Sequence, residues 1–332
     1  MITKENLRII FMGTPEFAVE TLKRLVEEGY HVVAVVTQPD KPVGRHGSVL
    51  RAPAVKEYAL AHGLPVLQPE KMKDPEFIET LRSYKAELQV VVAFRMLPEV
   101  VWDMPRFGTF NVHAALLPLY RGAAPINWAI INGETMTGVT TFFLDHQIDT
   151  GRIIKQRAFP IPDDADVEYV YDGLMHLGAE LAIETIQAII DGNGEVESVP
   201  QDKITLDDHH VSLTSLNPAP KIFKETCEIS WNKSAKQVYD FIRGLSPVPV
   251  AWSTLYKDGQ MDGNIVKIYR TAKTGNKTNK PAGTLIIVQG KMMVACTDEW
   301  LEIKELQMAG KKRMDAGAFI NGFRPDTDVM FK

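Results

Sequence analysis

The alternation of strand-like and helix-like periodicity near the start of the chain limits its folds more than any other feature. Leu7-Arg-Ile-Ile-Phe11 is an apolar, β-favouring run, and Gly13-Thr14-Pro15 interrupts it with turn chemistry. Thr14 is placed to cap a helix and Pro15 to open its first turn. Ala18, Leu22, Leu25 and Val26 then recur at helical spacing, with Gly29 to end the run. A second strand is predicted over 31–37, helices over 54–62 and 75–84, and strands over 88–93, 109–112 and 139–144. Strands separated by helices become parallel neighbours, because the crossover packs each helix back onto the sheet. The pattern predicts an α/β fold with a doubly wound, mostly parallel sheet of Rossmann type.

The second half changes character. Val170, Leu174, Leu177 and Leu181 line one face of a helix predicted over 167–191, which Asp191-Gly-Asn-Gly194 terminates. A polar connector follows, and then a helix over 234–245. Short strands over 251–256, 265–270, 283–288, 291–295 and 300–306 are separated by glycine and polar turns, a pattern that predicts a small, OB-like β-barrel. A chain of 332 residues exceeds one compact domain. The expected division is a catalytic domain over 1–195, a linker over 196–216 and a barrel over 217–332.

With 45% hydrophobic and 24% charged residues the composition is that of a globular protein. No apolar segment approaches membrane-spanning length, so a cytoplasmic location is expected. Cys227 and Cys296 are too few for a disulfide framework or a four-thiolate zinc site. His209-His210, the only adjacent histidine pair, sits in polar linker sequence, and no metal is expected. The net charge of −5 hides an asymmetry: from residue 212 onward there are 18 Lys and Arg against 12 Asp and Glu. Ten basic residues against four acidic ones fall between Lys267 and Arg313. A basic face on an acidic protein suits a polyanionic partner.

Asn111-Val-His113 lies at the end of a predicted strand, where alternate residues share a face. An amide and an imidazole side by side suit acyl transfer. When an amine attacks a formyl carbon, Asn111 can stabilise the oxyanion and His113 can bond the same oxygen or relay the departing proton. Asp149, in the loop after the strand over 139–144, is expected to be brought beside His113 by the two strand ends, to orient the ring and to tune its protonation. Each residue taken singly reads as structural; the combination carries the chemistry.

Gly13-Thr-Pro-Glu-Phe17 lacks the second and third glycines of a dinucleotide-binding turn, which makes a nicotinamide oxidoreductase improbable. Phe11-Met-Gly-Thr-Pro-Glu-Phe17, Thr37-Gln-Pro-Asp-Lys-Pro42, Asn111-Val-His-Ala-Ala-Leu-Leu-Pro118, Arg121-Gly-Ala-Ala-Pro-Ile126 and Asp149-Thr-Gly151 resemble, in order and spacing, the signatures of the methionyl-tRNA formyltransferases. Lys221-Ile-Phe-Lys-Glu225, Ile229-Ser-Trp231, Ile242-Arg-Gly-Leu245 and Leu306-Gln-Met-Ala-Gly-Lys-Lys312 extend the resemblance over nearly the whole chain.

The resemblance implies transfer of the formyl group of 10-formyltetrahydrofolate to the α-amine of methionyl-initiator-tRNA, with Asn111, His113 and Asp149 as the catalytic trio. It implies folate contacts from Phe94, Arg95, Met96 and Leu97, from Ala115, Leu116, Leu117 and Pro118, and from Asp145, His146, Gln147 and Ile148. The basic stretch over 38–52 matches a loop that enters the acceptor end of the tRNA, with Lys41, Arg45 and Arg51 as contacts. Lys267, Arg270, Lys311, Lys312 and Arg313 would hold the tRNA body. A monomer is expected.

Ala115 stands where the family usually has serine. Phe94-Arg-Met-Leu97 is one residue shorter than usual and closer to glycinamide ribonucleotide formyltransferases. The rival reading is a folate-dependent N-formyltransferase acting on an amino sugar nucleotide; the basic insertion and the basic second domain weigh against it.

Overall fold

The computed structural model describes residues 1–43, 49–204, 217–257, 260–322 and 329–332. They form two units: Met1–Gly122, Met136–Pro160 and Tyr171–Pro218 in the first, and Ala123–Thr135, Ile161–Val170 and Ala219–Lys332 in the second. Two stretches ahead of residue 195 therefore belong with the second unit, unlike in a division by composition. Side-chain hydrogen bonds run between these stretches and the rest of the second unit. Trp128 Nε1 donates to Pro220 O at 2.8 Å, and Arg243 Nη1 donates to Ala165 O at 2.8 Å.

In chain order the elements run β1 (Ile9–Gly13), α1 (Glu16–Glu27), β2 (Val32–Val36), β3 (Lys41–Val43), β4 (Val49–Arg51), α2 (Ala54–Ala61), β5 (Val66–Leu67), α3 (Pro75–Ser83), β6 (Leu88–Val92), α4 (Glu99–Trp102) and β7 (Thr109–His113). Then follow α5 (Pro125–Ile131), which belongs to the second unit, β8 (Met136–Phe143), β9 (Ile153–Pro160) and α6 (Val167–Asp191). The first unit's sheet has the order β5-β2-β1-β6-β7-β8-β9. Its strands are parallel from β5 to β7, and β8 and β9 add antiparallel pairings. Every residue of β1, β2 and β6 is buried, as expected of parallel strands covered on both faces.

Local sequence explains most of these boundaries. In α1 the predicted apolar stripe is realised: Ala18, Leu22 and Leu25 are buried. Thr14, however, does not cap this helix. Pro15 occupies the cap position, and the Thr14 hydroxyl is buried without a hydrogen-bond partner among the described residues. The α3 helix begins with Asp74 accepting from Glu76 N at 3.0 Å and with proline in its first turn. α6 has the predicted bounds. β9 lacks a clean period-2 pattern, which is why the sequence reading missed it.

The connector is only partly free of structure. Val199 exchanges backbone hydrogen bonds with Ile153, each 2.8 Å, and a 3-10 turn follows at Gln201–Lys203. His209 and His210 lie outside the described residues.

The second unit continues with α7 (Ala235–Arg243), β10 (Ala251–Lys257), β11 (Gln260–Lys277), β12 (Leu285–Val288), β13 (Lys291–Ala295), β14 (Glu299–Met308), β15 (Met314–Asp315), α8 (Ala316–Gly322) and β16 (Val329–Phe331). Ser234 and Gln237 form a reciprocal capping box at the start of α7. The antiparallel sheet runs β12-β13-β14-β11-β10-β16, and a bridge between Thr284 and Met330 joins its two ends into a near-barrel. The predicted strand over 265–270 is one piece of the 18-residue β11, whose bulges on either side of Arg270 let one strand bend with the barrel wall. Val266, Ile268, Leu285, Val294, Leu301 and Ile303 are among the residues filling the interior. No helix among the described residues is long and apolar enough to cross a membrane.

Candidate active site

β7 presents Asn111 and His113 on one face, while Phe110 and Val112 are buried on the other. Asn111 is level with Val91 of β6, whose apolar cluster includes Leu97 and has Phe94 and Leu144 packed against it. The Asn111 Oδ1 atom is buried with no hydrogen-bond partner among the described residues. An uncommitted buried polar atom is uncommon, because it leaves a desolvation penalty unrecovered.

His113 is 6% exposed. Its Nε2 lies 2.9 Å from the carbonyl oxygen of Tyr120, which can only accept, so Nε2 carries a hydrogen. Nδ1 faces the Asp149 carboxylate at 3.9 Å, and the Phe142 ring lies nearly perpendicular to the imidazole, with centroids 6.4 Å apart.

The structure brings Asp149 to His113, but not by the expected route. β8 runs antiparallel to β7, pairing Thr140 with His113 and Phe143 with Phe110. The end of β8 therefore lies near the start of β7, away from His113, and the loop must double back. Hydrogen bonds hold it there. Gly122 N donates to Asp149 Oδ2 at 2.9 Å, and Asp145 Oδ1 accepts from Gln147 N and Thr150 Oγ1 at 2.9 and 2.7 Å. Asp149 itself adopts a left-handed conformation, φ 55°. Gly151 is required where it stands, since a Cβ there would meet the Phe143 carbonyl oxygen at 1.7 Å.

The residues assigned to folate divide in two. Met96 and Ile148 are well exposed, as are His146 and Gln147, whereas Leu97, Ala115, Leu116 and Leu117 are buried. Ala115 O accepts from Thr140 Oγ1, and Leu117 O accepts from Gln156 Nε2. Arg95 is also committed inward: Nη1 and Nη2 donate to the Glu70 and Pro69 carbonyls, and burial pushes its pKa down. His146 Nδ1 lies 3.7 Å from Glu99.

Among the residues assigned to RNA, Lys41 and Arg51 face each other across the β3–β4 hairpin, both exposed. Arg45 lies outside the described residues. Lys267, Lys311 and Lys312 are exposed, and Arg270 lies 3.9 Å from Asp315. Arg313 is already neutralised. It forms a two-point pair with Glu305 at 2.6 and 2.8 Å over the Tyr269 ring, which raises its own pKa and lowers that of Glu305.

Residues 7–186 match the sequence model of the formyl transferase family, and 221–324 that of the formyl transferase C-terminal domain. The methionyl-tRNA formyltransferase of Parabacteroides distasonis is 56% identical over 324 residues, 97% of each chain. That of Porphyromonas gingivalis is 45% identical over 328 residues, 98% of each. This chain belongs to the methionyl-tRNA formyltransferase family. Solved structures related at the level of fold include the N-formyltransferase of Helicobacter canadensis, in complex with folinic acid and dTDP-3-aminofucose, with TM-score 0.62 and 19% identity over 92% of this chain and 99% of that one. HypX of Aquifex aeolicus, in complex with tetrahydrofolic acid, aligns with TM-score 0.60 and 18% identity over 96% of this chain and 48% of its own.

Sequence reasoning missed several residues bonded into this cluster. Tyr120 and Gly122 act through backbone atoms, which leave no side-chain signal. Thr140 lies in a predicted strand and reads as an ordinary β-branched residue. Gln201 sits in polar connector sequence where nothing marks it, yet it is 6% exposed and bonded to the Asp149 loop.

Proposed function

We propose that this chain transfers the formyl group of 10-formyltetrahydrofolate to the α-amine of methionine esterified to initiator tRNA. The observation that carries this reading is its end-to-end similarity, at 45–57% identity, to methionyl-tRNA formyltransferases. The site supports it. The orphaned Asn111 Oδ1 suits a polar ligand, and the exposed Met96 and Ile148 supply apolar cover for a flat ring system.

The folate supplies a formyl group carried on nitrogen. As the amine nitrogen bonds to the formyl carbon, Asn111 turns its amide N–H toward the oxygen on which charge builds. His113 has Nε2 committed to Tyr120, so Nδ1 is the nitrogen through which it accepts the proton that the amine loses. Once Nδ1 carries that proton, the Asp149 carboxylate facing it at 3.9 Å offsets the positive charge on the ring. The bond from carbon to the donor nitrogen then breaks, and that nitrogen takes up a proton. On the RNA side, Lys41, Arg45 and Arg51 of the insertion meet the acceptor end, while Lys267, Arg270, Lys311 and Lys312 add sequence-independent attraction. Arg313, paired with Glu305, contributes less.

Purified protein is expected to formylate methionyl-tRNA only when the folate donor and initiator tRNA are both present. Formylation of an amino sugar nucleotide, with none of charged tRNA, would overturn the reading. Asn111→Ala should lower kcat by roughly 10²–10³-fold. Its melting temperature should stay at the wild-type value, since Oδ1 gives up no hydrogen bond.

A further inference from the structure

We propose that Gln201 and Arg121 are positioning residues that hold Asp149 against His113, an inference that rests on the reading of Asp149 as part of the formyl-transfer site. The Gln201 carboxamide is buried, and its hydrogen-bonding capacity is fully used. Nε2 donates to the Asp149 and Gly151 carbonyls, both at 2.9 Å, and Oε1 accepts from Arg121 Nε at 3.1 Å and Nη2 at 2.6 Å.

The arrangement has a direction. A guanidinium can only donate, so Arg121 fixes which end of the amide faces the loop, and the two N–H groups must then point at the two carbonyls. Arg121 forms no ion pair among the described residues; both of its side-chain bonds go to this neutral amide. The clamp acts where the loop needs it. Asp149 is held in a left-handed conformation in a segment that has left strand β8 and doubled back, so no ladder of strand hydrogen bonds fixes it. Three successive residues close the frame: the Tyr120 carbonyl takes His113 Nε2, Arg121 takes Gln201, and Gly122 N takes the Asp149 carboxylate. Both side chains of the proposed acid–base pair are thus referred to one backbone segment, and Gln201 is the only link among these that passes through a third side chain.

The test compares wild type with Gln201→Glu, Gln201→Met and Asp149→Asn, singly and with each Gln201 variant combined with Asp149→Asn, by steady-state formylation across pH. Gln201→Glu keeps an acceptor for Arg121 but sets carboxylate oxygens against the two loop carbonyls, so it should fold and misplace Asp149. The expected result is a kcat lower by roughly ten- to hundredfold, with KM for the folate donor and for tRNA within about twofold of wild type. The pH profile of kcat should change shape, and neither Gln201 variant should cause further loss once Asp149 is asparagine. Losses that multiply in the double variants, a change in KM alone, or an unaltered pH profile with only a lower melting temperature would overturn the clamp. So would an inactive Asp149→Asn beside a fully active Gln201→Glu. Full turnover by Asp149→Asn would instead overturn the reading of Asp149 on which the inference rests. Should the Gln201 variants fail to fold by circular dichroism, Arg121→Met releases the same amide from its other side and is held to the same criteria.

Discussion

Thr140→Val isolates one buried hydroxyl beside the site. The Thr140 side chain is fully buried; its Oγ1 donates to Ala115 O at 2.7 Å and accepts from Leu117 N at 3.1 Å and Gln156 Nε2 at 2.9 Å. One hydroxyl hydrogen and two lone pairs account for all three bonds. Valine matches the shape and removes every partner. Gln156 keeps its bond to Leu117 O at 2.8 Å, so the penalty falls on Ala115 O and Leu117 N. Leaving each of these unpaired in the interior costs about 1–3 kcal/mol. Burying a methyl in place of the hydroxyl returns about 1 kcal/mol. The net loss should be about 1–5 kcal/mol, a large fraction of a typical domain stability of about 5–15 kcal/mol. Urea denaturation should show a lower midpoint at unchanged slope. Hydrogen exchange at the Leu117 amide gives the local readout and should accelerate beyond the global change. A loss below about 0.5 kcal/mol with wild-type protection at Leu117 would refute the claim that Thr140 holds this loop.

Replacing Lys41 and Arg51 together by alanine should weaken tRNA binding and flatten its log–log salt dependence by about one to two units; anisotropy titrations over a salt series check this, and an unchanged slope counts against the hairpin. The hydrogen bond from Arg313 holds the Glu305 carboxyl below its ordinary value of 4.5, so its stabilising effect is present above that pH and fades as pH falls through the folded value. Because the pair is partly exposed, the effect is small: Glu305→Gln should melt slightly below wild type at pH 7, and the gap should vanish in acid. A gap that widens in acid would reverse the assignment. Burial, with a smaller contribution from Asp298, pushes the Cys296 thiol up to about 12. Iodoacetamide at pH 8 should leave Cys296 untouched in the native protein and label it in denaturant, and native labelling would show that the barrel opens.

The geometry of the candidate site was half legible in the sequence. Asn111 and His113 share a face because they are two residues apart on a strand, a relation carried by local backbone geometry alone. Asp149 could be named from its motif, but its approach could not be foreseen. Strand order and direction place the end of β8 at Phe110, and hydrogen bonds from Gly122 and Gln201 reach the loop where it has returned to His113. Leu116, Leu117 and Arg95 carry the right sequence neighbourhood for a ligand contact, yet packing turns the two leucines into the core and commits the Arg95 guanidinium to carbonyls. No local pattern distinguishes a backbone segment that serves a ligand from one that serves a neighbouring strand.

The sequence by itself determined the features that depend on spacing and turn chemistry: the parallel α/β core, the long helix α6, the change to short antiparallel strands, and the Asn-x-His pair. Tertiary structure alone decided the features that depend on long-range partners. Among them are the closure of the barrel through Thr284 and Met330, the neutralisation of Arg313 by Glu305, the assignment of residues 123–135 and 161–170 to the second unit, and the burial of Gln201 against the Asp149 loop. The reason is physical. Periodicity reports which way a side chain points along its own element, whereas a hydrogen bond between residues 52 positions apart depends on where the whole chain has packed.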